Sequence, residues 1–181
     1  MSDGRGGAGL VVDGNRFFFT DGTETLIYDE CSFYRRKLQG SANARGVDVV
    51  VVQSSQDTTF FIEAKDYTRH GSEQPALSDL ADTVIRKFLD TLAGLELISR
   101  GTTGDQAFAV QALTQRRLRL CVAVEFPDRG DRLNPPKKTL ADFKALLTRR
   151  TRFLELKPIV TANHHPVASV PWTSQRDTET Y

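Results

Sequence analysis

Gly46-Val47-Asp48-Val49-Val50-Val51-Val52 and, after the polar interval from Gln53 to Asp57, Thr58-Thr59-Phe60-Phe61-Ile62-Glu63-Ala64-Lys65-Asp66 read as two very apolar strands joined by a turn. β-Branched and aromatic residues fill both runs and the interval is polar and turn-prone, so a hairpin is expected. In the second strand Glu63 and Lys65 are two residues apart and leave the same face, while Ala64 points to the other and offers its backbone carbonyl nearby. Asp48 opens the first strand, across the hairpin from the end of the second, and is expected on the face of Glu63 and Lys65. Two carboxylates held together repel unless something cationic intervenes. Hard oxygen ligands in low number, with room for water, suit Mg2+ or Mn2+ better than zinc. The triplet Glu63-Ala64-Lys65 says little alone in a chain with 26% charged residues. Its bland alternatives are a strand-opening turn residue at Asp48 and a solvated charge pair at Glu63 and Lys65.

Asp48, then Glu63-Ala64-Lys65 at the end of a hydrophobic strand, with an acid on a preceding helix, resembles the PD-(D/E)xK nuclease superfamily, whose core runs helix, strands, helix, strand. The resemblance covers Thr23 to Phe126. Glu30, within the amphipathic stretch Thr23 to Leu38, matches the helix acid. With Leu26, Ile27, Phe33, Tyr34 and Leu38 as the apolar side, Glu30 lies on the inward stripe, and a helix turns its neighbour Asp29 about 100° away. Val47 stands where the superfamily often has proline, and Gly46-Val47-Asp48 looks like the variant of restriction-type and Mrr-like members.

The resemblance implies hydrolysis of DNA phosphodiester bonds by metal-activated water, with Mg2+ or Mn2+ held by Asp48, Glu63 and the Ala64 carbonyl. Lys65 would orient the water or stabilise charge on phosphorus, and Glu30 would hold a second metal or position a water. The nucleic-acid contacts it suggests are Arg35, Arg36 and Lys37 after the helix acid, Arg69 on the loop after the strand, and Lys87 on the second core helix, although Lys87 also reads as a surface residue flanking an apolar stripe. The architecture implied is an α/β, restriction-endonuclease-like mixed sheet flanked by helices in a single domain. A homodimer, a partner ATPase or helicase, and a defence-system subunit are the partners it admits. Two further classes stand beside a DNA endonuclease of a host-defence or restriction-type system. One is a nuclease-derived subunit that binds nucleic acid or a partner ATPase without cutting. The other is an enzyme on RNA or nucleotides with the same metal chemistry.

The net charge of +1 over 181 residues excludes a uniformly basic nucleic-acid binder, so any such affinity has to come from local patches. Besides Arg35 to Lys37, such patches are Arg116-Arg117 with Arg119, and Arg149-Arg150 with Arg152; only a shared face would make them a track for DNA. Cys31 and Cys121 have no metal-ligand spacing, no apolar run approaches membrane-spanning length, and the first residues lack a secretory core, so a reduced cytoplasmic protein with no membrane partner is expected. His164-His165 read as loop residues, because adjacent side chains on an extended segment diverge.

The remainder falls into simple pieces. Residues 1–22 read as a flexible lead and a short hairpin around Asp13-Gly14-Asn15, and 23–126 as the nuclease-like core. After Lys65 a loop from Asp66 to Glu73, with Tyr67, Arg69 and His70, leads to a long helix opened by Pro75, whose Leu77, Leu80, Ala81, Val84, Ile85, Phe88, Leu89, Leu92 and Leu95 recur at helical steps. A short helix from Ala107 to Leu113 and a strand from Leu118 to Phe126 complete a βαβ-like progression. Residues 127–172 hold a last helix, Lys138 to Phe153, and a strand, Pro158 to Thr161. Residues 173–181 read as a polar tail that frays.

Overall fold

Residues 9–69, 71–130, 132, 133 and 135–177 are described in a computed structural model of the chain, so His70, the first part of the lead and the end of the tail lie outside the described residues. In chain order the elements are β1 (Leu10–Val12), β2 (Asn15–Phe19), β3 (Thr23–Ile27), α1 (Gly40–Ala42), β4 (Val49–Gln53), β5 (Thr58–Asp66), α2 (Leu77–Ser99), α3 (Gln106–Thr114), β6 (Arg117–Glu125), α4 (Pro136–Arg150), β7 (Ile159–Thr161) and β8 (Trp172–Arg176). The expected hairpin forms: β4 and β5 are antiparallel, with Val49 opposite Ile62 and Val51 opposite Phe60. Strand β6 pairs parallel to β5 and β7 parallel to β6, so the main sheet is mixed, in the order β3-β4-β5-β6-β7.

Strands β4 and β5 are covered on both faces, which explains the continuous apolar runs Val49 to Val52 and Phe60 to Ile62. One face meets the helices: Val50, Val52 and Phe61 pack with Leu80, Val84, Phe88 and Leu95 of α2 and Phe143 and Leu147 of α4. The other face, carrying Val49, Val51, Phe60, Ile62 and Ala64, meets Phe17 and Trp172 of a second, three-stranded sheet, β1-β2-β8. The chain is therefore a single α/β domain of three layers, a small sheet, a large mixed sheet and helices. No helix among the described residues is long and apolar enough to cross a membrane.

Two expectations fail. Thr23 to Leu38 is not one helix. Its first part is β3, which takes the free edge of β4 with Thr23 opposite Gln53 and Ile27 opposite Val49, followed by a 3-10 turn, Tyr28–Glu30, and a short helical run whose middle, Tyr34–Gln39, is π-helical and leads into α1. The apolar spacing fits a helix, but Thr23, Thr25 and Ile27 are β-branched and the open edge of a buried strand offers a full set of backbone partners. Nor is 173–181 only a tail. Residues 172–176 pair with β2 along its whole length, anchored by Trp172, whose ring lies edge-on to Phe60 at 5.5 Å. The alternation was hidden because the outer face of β8 is polar. The hairpin of the lead is thus part of the second sheet. Smaller shifts are that α2 starts at Leu77, after Pro75, and α4 at Pro136.

The helix layer leans on one close approach. A Cβ added at Gly94 of α2 would lie 1.8 Å from the Tyr28 hydroxyl oxygen, whose ring is fully buried. Gly94→Ala is expected to destabilise the protein by about 3 kcal/mol, beyond any gain in helix propensity, because neither backbone nor ring has room to retreat. Urea unfolding of the variant measures this, and parental stability would contradict the packing.

Candidate active site

The β4–β5 register, carried one residue past Val49 and Ile62, sets Asp48 opposite Glu63 on the helix face. The backbone leading to Asp48 is held at every amide. Arg45 N–H donates to Asp90 Oδ2, Gly46 N–H to the Tyr34 hydroxyl, Val47 N–H to Thr91 Oγ1 and Asp48 N–H to the Ile62 carbonyl. Three of these partners are side chains of other elements, so an irregular segment has its polar groups satisfied and Asp48 is fixed from both sides. Asp48 Oδ2 then accepts a 2.7 Å hydrogen bond from Ala64 N–H, which has no β4 backbone opposite it because β4 begins at Val49. The Ala64 carbonyl leaves the same edge of β5 as that N–H, toward the carboxylate.

Four charged side chains converge. Lys87 Nζ, reaching down from α2, donates to both carboxylate oxygens of Glu63 at 2.6 and 2.8 Å and stands 3.6 Å from Asp48 Oδ1. Lys65 Nζ lies 3.1 Å from Glu63 Oε1 and 3.4 Å from Asp13 Oδ2, which the β1–β2 turn supplies from the small sheet. Glu63 is wholly buried, which excludes a solvated charge pair. Burial first, and Asp48 second, push its pKa up from 4.5 to about 7, against the pull of Lys65 and Lys87. Burial works against the ammonium of Lys65, but Glu63, Asp48 and Asp13 outweigh it and raise its pKa. Burial and the neighbouring Asp48 thus outweigh the two lysines at Glu63.

Asp48, Glu63, Ala64 and Lys65 are brought together as the sequence suggests. Glu30 is not. It sits exposed in the 3-10 turn Tyr28–Glu30 that ends β3, whereas half-buried Asp29 faces inward; burial and then the nearby Asp48 raise its pKa, while Lys87 draws it down. Losing the helix over 23–38 changed which neighbour turns in. Arg35, Arg36 and Lys37 are exposed on the π-helical stretch, with Arg35 and Arg36 bonded to the carbonyls of Asp29 and Ser32. Arg69 lies beside Asp66 at 3.7 Å and Asp13 at 4.0 Å, at the rim of the site. Lys87 is no surface residue: Val84, Lys87, Thr91, Gly94 and Ile98 continue the inward stripe at three- and four-residue steps. That spacing is visible in the sequence, but the lysine disguises it. Thr91 and Asp13 carried no comparable signal.

The donor set suits a hard cation. Asp48 and Glu63 offer carboxylate oxygens, Ala64 a carbonyl, and the Lys87 ammonium marks a position where positive charge touches both acids. Among the described residues no three acidic, histidine or cysteine side chains form a metal cluster, so any ion here would rest on these two carboxylates, the backbone and water. Cys31 and Cys121 are buried and unpaired, and His164 lies 3.5 Å from Glu125 on the opposite face of the sheet.

Comparison with known proteins adds little to this geometry. No family model matches the chain. No solved structure matches it either. Among curated proteins it is 29% identical over 152 residues to a cysteine–tRNA ligase of Neisseria meningitidis (serogroup A, serotype 4A), an overlap of 74% of this chain and 22% of that protein. The chain is thus similar to about a fifth of that ligase's length.

Proposed function

We propose that this chain is a metal-dependent nuclease that hydrolyses DNA phosphodiester bonds on a restriction-endonuclease-like fold. The observation that carries the reading is a buried cross-strand acid pair, Asp48 and Glu63, with Lys65 two residues beyond Glu63 and an ammonium held between the acids. The order of elements supports it: strands β3, β4 and β5, helix α2 and strand β6 follow the strands, helix, strand of the superfamily core in a mixed sheet, with helical structure between β3 and β4 in place of a leading helix. Mg2+ or Mn2+ held by Asp48, Glu63 and the Ala64 carbonyl would polarise the scissile phosphate and acidify the attacking water. Asp48 is pre-set for this by its hydrogen bonds with Ala64 and Ile62, and Glu63 by those from Lys87. Lys65, partly open to solvent and fixed in its charged form, stabilises negative charge as it builds on the phosphate oxygens. Lys87, which touches both acids, would have to yield one or both Glu63 oxygens to a divalent ion. Asp29 replaces Glu30 as the accessory acid, so Asp29→Asn is expected to slow cleavage about tenfold and Glu30→Gln to leave it near the parent. The place of this activity in a host-defence or restriction-type system is what the resemblance implies, and a cytoplasmic setting is what the two unpaired cysteines suggest.

One observation favours a second reading, a nuclease-derived subunit that binds nucleic acid or an ATPase partner without cutting. Lys87 saturates Glu63, a pairing able to hold the fold together without metal. The purified chain incubated with circular and linear duplex DNA, single-stranded DNA and RNA, with Mg2+, Mn2+ or chelator, separates the readings. Transfer RNA belongs among the substrates, given the name of the similar ligase. Metal-dependent cleavage abolished by chelator is expected; an intact set under every condition overturns the catalytic reading.

A further inference from the structure

The two arginine clusters that the acid site does not use meet at the other end of the sheet. Arg117 and Arg119 open β6, Lys144 and Arg149 lie on the outer side of α4, and Arg152 and Lys157 follow it. Together they line two adjoining hollows of about 890 and 440 Å³ that share Lys144, Thr148 and Lys157. Among the described residues none of these six cations pairs with a carboxylate, whereas nine of the other basic side chains do, Arg150 with Asp82 among them. Glu155 alone opposes them in the trough. Six cations and one carboxylate put +5 here in a chain whose total is +1, which leaves −4 on everything else.

Such a concentration is costly to assemble unless an anion visits it, since like charges converging on one hollow repel. The cations come from three separate elements and are spread along a trough, which suits a line of phosphates more than a single small anion. Its concave form disfavours a flat bilayer. Arginine forks add bidentate contacts to phosphate oxygens. We propose that this trough is a nucleic-acid backbone-binding groove, separate from the acid site.

Its position sets what it grips. Arg117 pairs with Thr58 and Val124 with Lys65 across the parallel β5–β6 ladder, so the trough and the acid site are divided by the length of those strands, about 23 Å at ~3.3 Å per residue. The phosphates held in the trough therefore belong to a different stretch of the strand from any held beside Lys65. The groove acts as an anchor that needs no hydrolysis, and it stands whether or not the acid site cuts.

The test is fluorescence anisotropy of a labelled DNA duplex titrated with the full chain in chelator, over a series of salt concentrations. Lys144→Glu with Lys157→Glu is expected to weaken binding at least tenfold and to lower the salt slope by about 2, one for each lost phosphate contact. Lys144→Gln with Lys157→Gln, which removes charge without reversing it, gives a smaller loss with the same change of slope and serves if the reversal perturbs folding. An unchanged affinity and slope in the neutral variant overturns the proposal. So does a parent chain that ignores DNA and RNA, or one that binds vesicles containing phosphatidylserine, or a polyglutamate peptide, more tightly than the duplex.

Discussion

Asp48→Asn is expected to leave the chain folded and DNA-bound while lowering Mg2+-dependent cleavage by about 10³-fold or more, the scale on which a single group serving only the charged transition state is felt. Asparagine keeps an oxygen for the Ala64 N–H bond, so the Asp48 segment, held also through Thr91, Tyr34 and Asp90, stays in place. What it loses is the negative charge facing Lys87 and any metal. Glu63→Gln removes the other acid with equal effect. Lys65→Ala is expected to act at a different point: if Lys65 serves the phosphate and not the ion, as proposed, metal affinity is retained and turnover falls. Supercoiled plasmid nicking at saturating metal measures all three, with circular dichroism as the control for folding. An Asp48→Asn chain that nicks as fast as the parent ends the catalytic assignment.

How far the site was visible beforehand depends on whether its residues speak through local pattern. Asp48, Glu63 and Lys65 do, because strand periodicity fixes which face each leaves, and a hairpin with a short polar turn fixes the register. The parallel return of β6 followed from the long helix between two apolar runs. What stayed hidden was set by tertiary competition. Thr23 to Ile27 carries a spacing that a helix accepts equally well, and only the open edge of β4 decides for a strand. That choice in turn leaves Glu30 exposed and brings Asp29 under the influence of Asp48. Lys87 was hidden by its chemistry: a lysine on an apolar stripe is normally a flank residue that snorkels, and its role becomes plain only when Glu63 lies beneath it. Trp172 to Arg176 was missed because an edge strand with one wet face is mostly polar.

A pH-dependent stability that divalent metal reverses is the second large effect expected. In the folded chain the Glu63 carboxyl is raised to about 7 by burial and by Asp48, whereas in the unfolded chain it titrates near the ordinary value of about 4.3. Between those limits the native state holds a proton that the unfolded chain has released, so stability is greatest on the acid side and falls as pH rises through the window. The loss is on the order of 3 kcal/mol, which for a chain of this size is roughly 6–12 °C of melting temperature. Lys65 does not blur the signal. Its pKa is raised from an already high value, so it is charged in both states across the window. Glu63→Gln carries no titrating group at this position and should lose the slope that Glu63 contributes, so that the difference between variant and parent changes between about pH 5 and pH 8 and not merely by a constant. Mg2+ should restore the parent near pH 8, where the carboxylate is free to bind it, and do little near pH 5, where the proton competes. Thermal unfolding of both chains across this range, with and without Mg2+, reads the whole pattern. Parallel profiles for parent and Glu63→Gln would show that Lys87 and Lys65 compensate Glu63 fully, and that the pair beneath α2 is a closed structural bridge with no place for a further cation.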